Sequence, residues 1–180
     1  AKPGSRARPP TPPRMAPPRT QALPQMGRHL LPGNVLAGKF RVERVIGEGG
    51  MGMVLAAHHL QLDQRVALKV MRSDAGLGAD GVQRFLREAQ AVAKLRSEHV
   101  VRVLDVGALP DGAPYIVMEY LEGHDLAAHV HKRGRLSVEE TIDYVVQACD
   151  ALAEAHALGI VHRDLKPANL FLSTDADGSA

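Results

Sequence analysis

Three stretches of the chain concentrate residues suited to handling phosphate. Gly47-Glu48-Gly49-Gly50-Met51-Gly52-Met53-Val54 reads G-x-G-x-x-G-x-V. Glycines at that spacing let backbone N–H groups approach phosphate oxygens with no side chain in the way. A dinucleotide-binding turn shares the spacing, and an ordinary mobile turn looks similar. A dinucleotide fingerprint leads from a strand into a helix. Here β-type segments flank the glycines on both sides, which predicts a hairpin lying as a lid over a nucleotide. Lys69, in Val66-Ala67-Leu68-Lys69, sits on the third strand of the same series. Taken alone it is a solvated strand lysine. Glu88 follows on a helical stripe, where it could meet Lys69 and hold the ammonium on the nucleotide's phosphates. Taken alone it is a surface charge beside Arg84 and Arg87. The densest polar run is His162-Arg163-Asp164-Leu165-Lys166-Pro167-Ala168-Asn169.

The elements that must position these groups are legible from periodicity. Phe40–Ile46, Met53–Ala57 and Arg65–Met71 read as strands, with a turn at Gln61–Gln64. Short links between strands argue an antiparallel meander. Val82, Phe85, Leu86, Ala89, Val92 and Ala93 recur at helical spacing. Val100–Val106 and Tyr115–Tyr120 are two further strands, joined through Pro110-Asp111-Gly112. Glu122–Asp125 is a connection and Leu126–His131 a short helix. The longest helix spans Val138–Ala157, with a capping-box signature at Ser137 and Glu140 and a stop at Gly159. Its stripe is Ile142, Val145, Val146, Cys149, Leu152, Ala153 and His156, which makes Cys149 a small buried apolar residue. Asp143, Asp150 and Glu154 fall on a solvated face. Ile160-Val161 and Leu170–Leu172 are short strands flanking the polar loop.

The chain has 180 residues, 45% hydrophobic and 23% charged, which excludes a wholly disordered protein. No apolar run approaches the ~18 residues of a membrane span. The single Cys149 excludes an internal disulfide framework and a cysteine zinc cluster, and fits a reducing, cytoplasmic setting. The net charge of +2 misleads, because residues 1–32 hold Lys2, Arg6, Arg8, Arg14, Arg19 and Arg28 and no acid. The remainder is net acidic and carries no basic stripe with interleaved aromatics, so a nucleic-acid partner is not expected. Pro3, Pro9, Pro10, Pro12, Pro13, Pro17, Pro18, Pro24 and Pro32 forbid helix there. Residues 1–35 are expected to be a disordered Pro/Arg-rich tail acting as a linker or as a partner ligand. His124, His129 and His131 lack a further ligand group at zinc-site spacing.

The run His162–Asn169 reads H-R-D-L-K-P-x-N, and with the glycine motif and Lys69 it resembles the eukaryotic-type protein kinases. Lys166-Pro167 resembles the serine/threonine group, and Gly47–Gly52 the bacterial members. The similarity covers roughly residues 38–180. It implies an α+β, two-lobed fold: a five-stranded antiparallel sheet with one helix over residues 36–121, then the start of a mainly helical lobe over 122–180. It implies ATP- and Mg²⁺-dependent transfer of the γ-phosphoryl group to Ser/Thr hydroxyls of protein substrates. Asp164 would orient the acceptor hydroxyl and take its proton, Lys166 would neutralise the transferred group, and Asn169 would hold Mg²⁺. Lys69, paired with Glu88, would bind the α- and β-phosphates. Ile46, Gly47, Glu48, Gly49, Gly50, Met51, Gly52 and Val54 would form the nucleotide lid. Ala67 would cover the adenine with Val54, above a floor at Phe171. Met118 would stand at the back. The backbone of Glu119 and Leu121 would bond the adenine edge, and Asp125 the ribose. His162 would pack in the core, and Arg163 would await a negative partner.

The same resemblance implies a second metal-binding aspartate, in Asp-Phe-Gly, which is absent. Asp177-Gly178 reads instead as a hairpin tip. The expectation is a truncated domain with little or no transfer of its own, and an uncovered apolar face on Val138–Ala157. Two alternatives stand: a nucleotide-binding or scaffolding pseudokinase, and a small-molecule phosphotransferase on a related fold.

Overall fold

A computed structural model describes residues 30–49, 52–71 and 79–174. Strands β1 (Val35–Leu36), β2 (Phe40–Gly49), β3 (Gly52–His59) and β4 (Gln64–Met71) precede helix α1 (Ala79–Val92). Strands β5 (Val103–Ala108) and β6 (Pro114–Glu119) follow, then β7 (Gly123–Asp125), α2 (Leu126–Arg133), α3 (Val138–Ala157), a 3-10 turn (Pro167–Asn169) and β8 (Phe171–Ser173).

The main sheet runs β1-β2-β3-β4-β6-β5, antiparallel at every pairing. It has six strands rather than the expected five. The extra one, β1, straddles the boundary between the expected tail, residues 1–35, and the expected lobe. It pairs Leu36 with Phe40, and Gly33 and Asn34 exchange backbone bonds with Val42. Leu30 and Leu36 are buried in the core. Two apolar anchors are enough to pin a segment whose composition otherwise reads as linker.

Alternation along the strands sends one set of side chains to each face. Leu55 pairs with Leu68 and Leu68 with Val117, while Met53, Val70 and Tyr115 form the next row. These residues close one core with Phe40 and Val42. The opposite face carries Met71 and Ile116, against which α1 packs Phe85 and Ala89. The sheet is therefore buried on one side by its own edge and on the other by a helix.

The helical part departs from expectation in four places. Gly123–Asp125 forms a strand with β8 rather than a connection. At Gly123, a Cβ would stand 1.9 Å from the Leu172 carbonyl oxygen, so the close pairing demands glycine. Ile160 and Val161 form no strand. Cys149 is exposed, and on the same helix Ile142, Val145 and Val146 are more than half exposed. Glu154 is not on a solvated face: its carboxylate accepts the backbone N–H groups of Arg96 and Ser97, both at 2.8 Å. That contact ties α3 to the loop after α1. The α3 start is as expected, with Ser137 and Glu140 in a reciprocal capping box. No described helix is long and apolar enough to cross a membrane.

Candidate active site

The register of the sheet assembles the upper half of the site. Gly47 lies opposite Val54, Val54 opposite Lys69, and Ala67 opposite Met118. Directly paired residues share a face, so Val54, Ala67, Lys69 and Met118 all point to the α1 side of the sheet. The lower half is brought up by the β7–β8 ribbon, in which Asp125 faces Phe171. Between them lies a cleft of about 440 Å³. Of the residues expected to hold a nucleotide, Ile46, Ala67, Met118, Glu119, Leu121, Asp125 and Phe171 line it. Met118 also packs on the α1 cluster, closing the back.

The glycine hairpin forms as expected, strand to strand, with Gly49 paired to Gly52. Its tip, Gly50 and Met51, lies outside the described residues. The three motif glycines differ in what requires them. At Gly52, where φ is +157°, a Cβ would stand 2.1 Å from the Val70 carbonyl oxygen, so the fold itself demands glycine. At Gly49 a Cβ would meet nothing within 4 Å, and at Gly47 only Val54 at ordinary contact distance. Neither has a positive φ. Nothing in the protein's own packing requires glycine at 47 or 49.

The polar loop is held by short-range bonds. Lys166 Nζ lies 2.8 Å from Asp164 Oδ2. Asn169 Nδ2 donates to the Asp164 carbonyl oxygen at 2.7 Å and to Asp164 Oδ2 at 3.1 Å. His162 Nδ1 accepts from the Asp164 backbone N–H at 3.3 Å, spanning Arg163, which takes a left-handed φ of +63°. A bulky residue in that region is strained and marks a turn under local constraint. Hydrogen bonds from Lys166 and then Asn169 hold the Asp164 carboxyl below its usual pKa. His162 is exposed rather than packed in a core. Its ring closes the turn instead.

Two expected pairings are not assembled alike. Asp125 lines the cleft, but its Oδ1 caps α2 by accepting from the Ala128 N–H at 2.8 Å. That leaves its second oxygen for a ligand. Lys69 and Glu88 are both exposed, and among the described residues no ion pair joins them. Phe85 and Ala89 fix the inward face of α1, and Glu88 falls beside that face rather than on it.

Arg44, Val101, Tyr120, Gly123 and His124 also line the cleft. Tyr120 adjoins the expected Glu119. His124 and His129 stack with ring centroids 5.0 Å apart and share a hydrogen bond of 2.8 Å.

The cleft between the two walls, the glycine strands and the Asp–Lys–Asn loop lie on the elements of a two-part fold, a curled antiparallel sheet followed by helices. The chain belongs to the protein kinase domain family, which it matches over residues 40–178. It is 43% identical over 140 residues to the serine/threonine-protein kinase pkn3 of Myxococcus xanthus, covering 78% of this chain and 26% of that protein. It is 38% identical over 143 residues to the serine/threonine-protein kinase PrkC of Bacillus subtilis, covering 79% of this chain and 22% of the relative. The chain thus spans about a quarter of these relatives. The solved kinase domain of Mycobacterium tuberculosis PknI superposes with a TM-score of 0.71 at 34% identity, covering 80% of this chain and 58% of that one.

The residues present fit ATP and Mg²⁺ on their chemistry. The cleft presents Ile46 and Ala67 on one wall and Phe171 on the other, flanked by backbone at Glu119 and Leu121. Among the described residues no cluster of three His, Cys, Asp or Glu offers a complete metal cage. Mg²⁺ is commonly held by one or two protein oxygens together with substrate phosphates, and Asp164 and Asn169 each bring a side-chain oxygen to the polar loop.

Proposed function

We propose that the protein from which this segment comes transfers the γ-phosphoryl group of ATP to serine or threonine hydroxyls of proteins. The observation that carries this reading is the Asp164–Lys166–Asn169 cluster, set on the loop that leads directly into Phe171 at the wall of the cleft. Phosphoryl transfer asks the protein mainly for positioning and charge stabilisation.

The roles follow from chemistry and place. Ala67, Val54 and Ile46 cover the adenine, Phe171 supports it, and Met118 closes the back. Backbone at Glu119 and Leu121 pairs with the adenine edge, and the free oxygen of Asp125 takes a ribose hydroxyl. Gly47, Glu48, Gly49, Gly50, Met51 and Gly52 lay backbone N–H groups along the phosphates. Lys69 binds the α- and β-phosphates from the sheet above. Glu88 steadies Lys69 once α1 turns its carboxylate inward. The side-chain oxygen of Asn169 would hold Mg²⁺, and its amide steers Asp164. Mg²⁺, when bound, neutralises charge that develops on the phosphates.

Asp164 is ionised at neutral pH, since its pKa is lowered by Lys166 and Asn169. It therefore acts as a hydrogen-bond acceptor that aims the acceptor hydroxyl and takes its proton late. Lys166 spans from Asp164 to the transferred group. Residues 30–121 and 122–180 serve as the upper and lower lobes, since Leu30 and Val35 join the sheet and its core, and the residues before Leu30 serve as a linker or partner ligand.

The test is transfer of labelled phosphate from γ-labelled ATP to a protein acceptor by the full-length protein, followed by phosphoamino-acid analysis. Label on serine or threonine, abolished by Asp164→Asn, is expected. Nucleotide binding without transfer would favour the pseudokinase alternative, and label on a small-molecule acceptor alone would favour the third.

A further inference from the structure

We infer that Arg44 and Tyr120 form a strap across the mouth of the nucleotide cleft, which sets the width of the base slot before any nucleotide arrives. The inference rests on the nucleotide reading of that cleft and assigns positioning roles to two residues outside the glycine, lysine and aspartate motifs.

Both residues line the cleft, from opposite walls. Arg44 stands on β2, at the base of the glycine hairpin. Tyr120 lies just past β6, where the chain crosses to the helical part. Arg44 Nη2 donates to Tyr120 Oη at 2.7 Å, a bond between residues 76 apart in sequence. Among the described residues no carboxylate pairs with Arg44, so this bond is what fixes its guanidinium.

Tyr120 is also backed from behind. The Arg65 guanidinium lies 5.1 Å from the centroid of its ring, within cation–π range. Arg65 in turn bonds Glu43 at 2.9 Å and approaches Glu122 at 3.7 Å. Hydrogen bonding to Glu43 raises the Arg65 pKa further above its ordinary value. Strand β2 thus supplies Glu43 and Arg44, β4 supplies Arg65, and the crossing segment supplies Tyr120 and Glu122. Exposed ion pairs taken singly contribute little. This set instead fixes one distance, that between β2 and the crossing segment, which is the opening of the slot. A slot already at the right width spares the ligand the cost of drawing the walls together.

The strap touches the base end and not the phosphates, which gives it a distinct signature. In calorimetric titrations of this chain, Tyr120→Phe and Arg44→Ala should each weaken adenosine and ATP by the same factor, about three- to tenfold. The double variant should be no weaker than Arg44→Ala alone, because both changes remove one bond. Lys69→Met should differ in kind, weakening ATP and leaving adenosine unchanged. Tyr120→Phe removes one exposed oxygen and keeps the ring under Arg65, so it tests the bond even where Arg44→Ala perturbs folding. Unchanged affinity in Tyr120→Phe, with a wild type that binds, would overturn the strap and leave the nucleotide reading standing. So would a drop in melting temperature with both affinities intact, which marks a merely structural bond. A wild type that takes up neither adenosine nor ATP would overturn both.

Discussion

The catalytic loop and the sheet each bring a charged group to the candidate site, and they differ in how far they have assembled it. On the loop, Asp164 is already bonded to Lys166 and Asn169, two and five residues away. On the sheet, Lys69 is placed by register but is not joined to Glu88 on α1. Contacts within one turn of chain form as soon as the turn forms. A contact between a strand and a separate helix depends on how that helix is seated, and here Phe85 and Ala89 seat it with Glu88 turned aside. The difference teaches that the lower half of the site is preorganised, whereas the upper half must still complete a pair.

Four changes would break or sharpen this contrast. Asp164→Asn strikes the assembled half and should cost the full-length protein about 10²- to 10⁴-fold in phosphoryl transfer. Its ATP affinity should stay within about twofold, read by calorimetry. Asn169→Ala removes both bonds that steer Asp164, along with the Mg²⁺ oxygen, and should cost about 10- to 100-fold in transfer. Raised Mg²⁺ should restore part of that loss if the metal oxygen matters.

Lys166→Met tests the cause of the Asp164 shift. A carboxyl whose folded pKa is depressed contributes stability above its unfolded value, and loses it as pH falls through the folded value. In an NMR titration the Asp164 midpoint should lie below 3.8 in the native chain and rise towards it in Lys166→Met. Asp164 is exposed, so the effect on overall stability should be slight. The smallest effect belongs to Glu88→Gln, which should leave the ATP affinity of this chain within about twofold because no ion pair is there to lose. A large loss would mean that α1 seats Glu88 on Lys69 in solution, and the contrast between the halves would disappear.

The same division between near and far explains what was legible in the sequence. The strands, the helix Val138–Ala157, its capping box and the glycine hairpin follow from alternation, helical spacing and cap chemistry, all of them local. Seven cleft-lining residues were expected by resemblance, and register then placed them. The pattern alone puts Glu154 on a solvated face, because its partners, Arg96 and Ser97, lie 58 and 57 residues away and offer only backbone N–H groups. A backbone donor leaves no mark in a side-chain pattern. Tyr120 and Arg44 were missed for a related reason, since their bond spans 76 residues. Strand β1 was hidden by the prolines around it. Cys149 was expected inside because helical spacing shows that a stripe is apolar, but not that anything covers it. On α3, Ile142, Val145 and Val146 remain more than half exposed. The edge of the sheet closes its own core, while α3 does not.

The central claim is that one cleft takes a base between its walls and a triphosphate beneath the glycine hairpin and Lys69. Calorimetric titration of this chain with Mg²⁺ and ATP, against the same titration with adenosine, tests it most directly. The account predicts one equivalent of ATP bound at least about tenfold more tightly than adenosine, with that advantage lost in Lys69→Met. ATP bound no more tightly than adenosine, or an advantage that survives Lys69→Met, would contradict it.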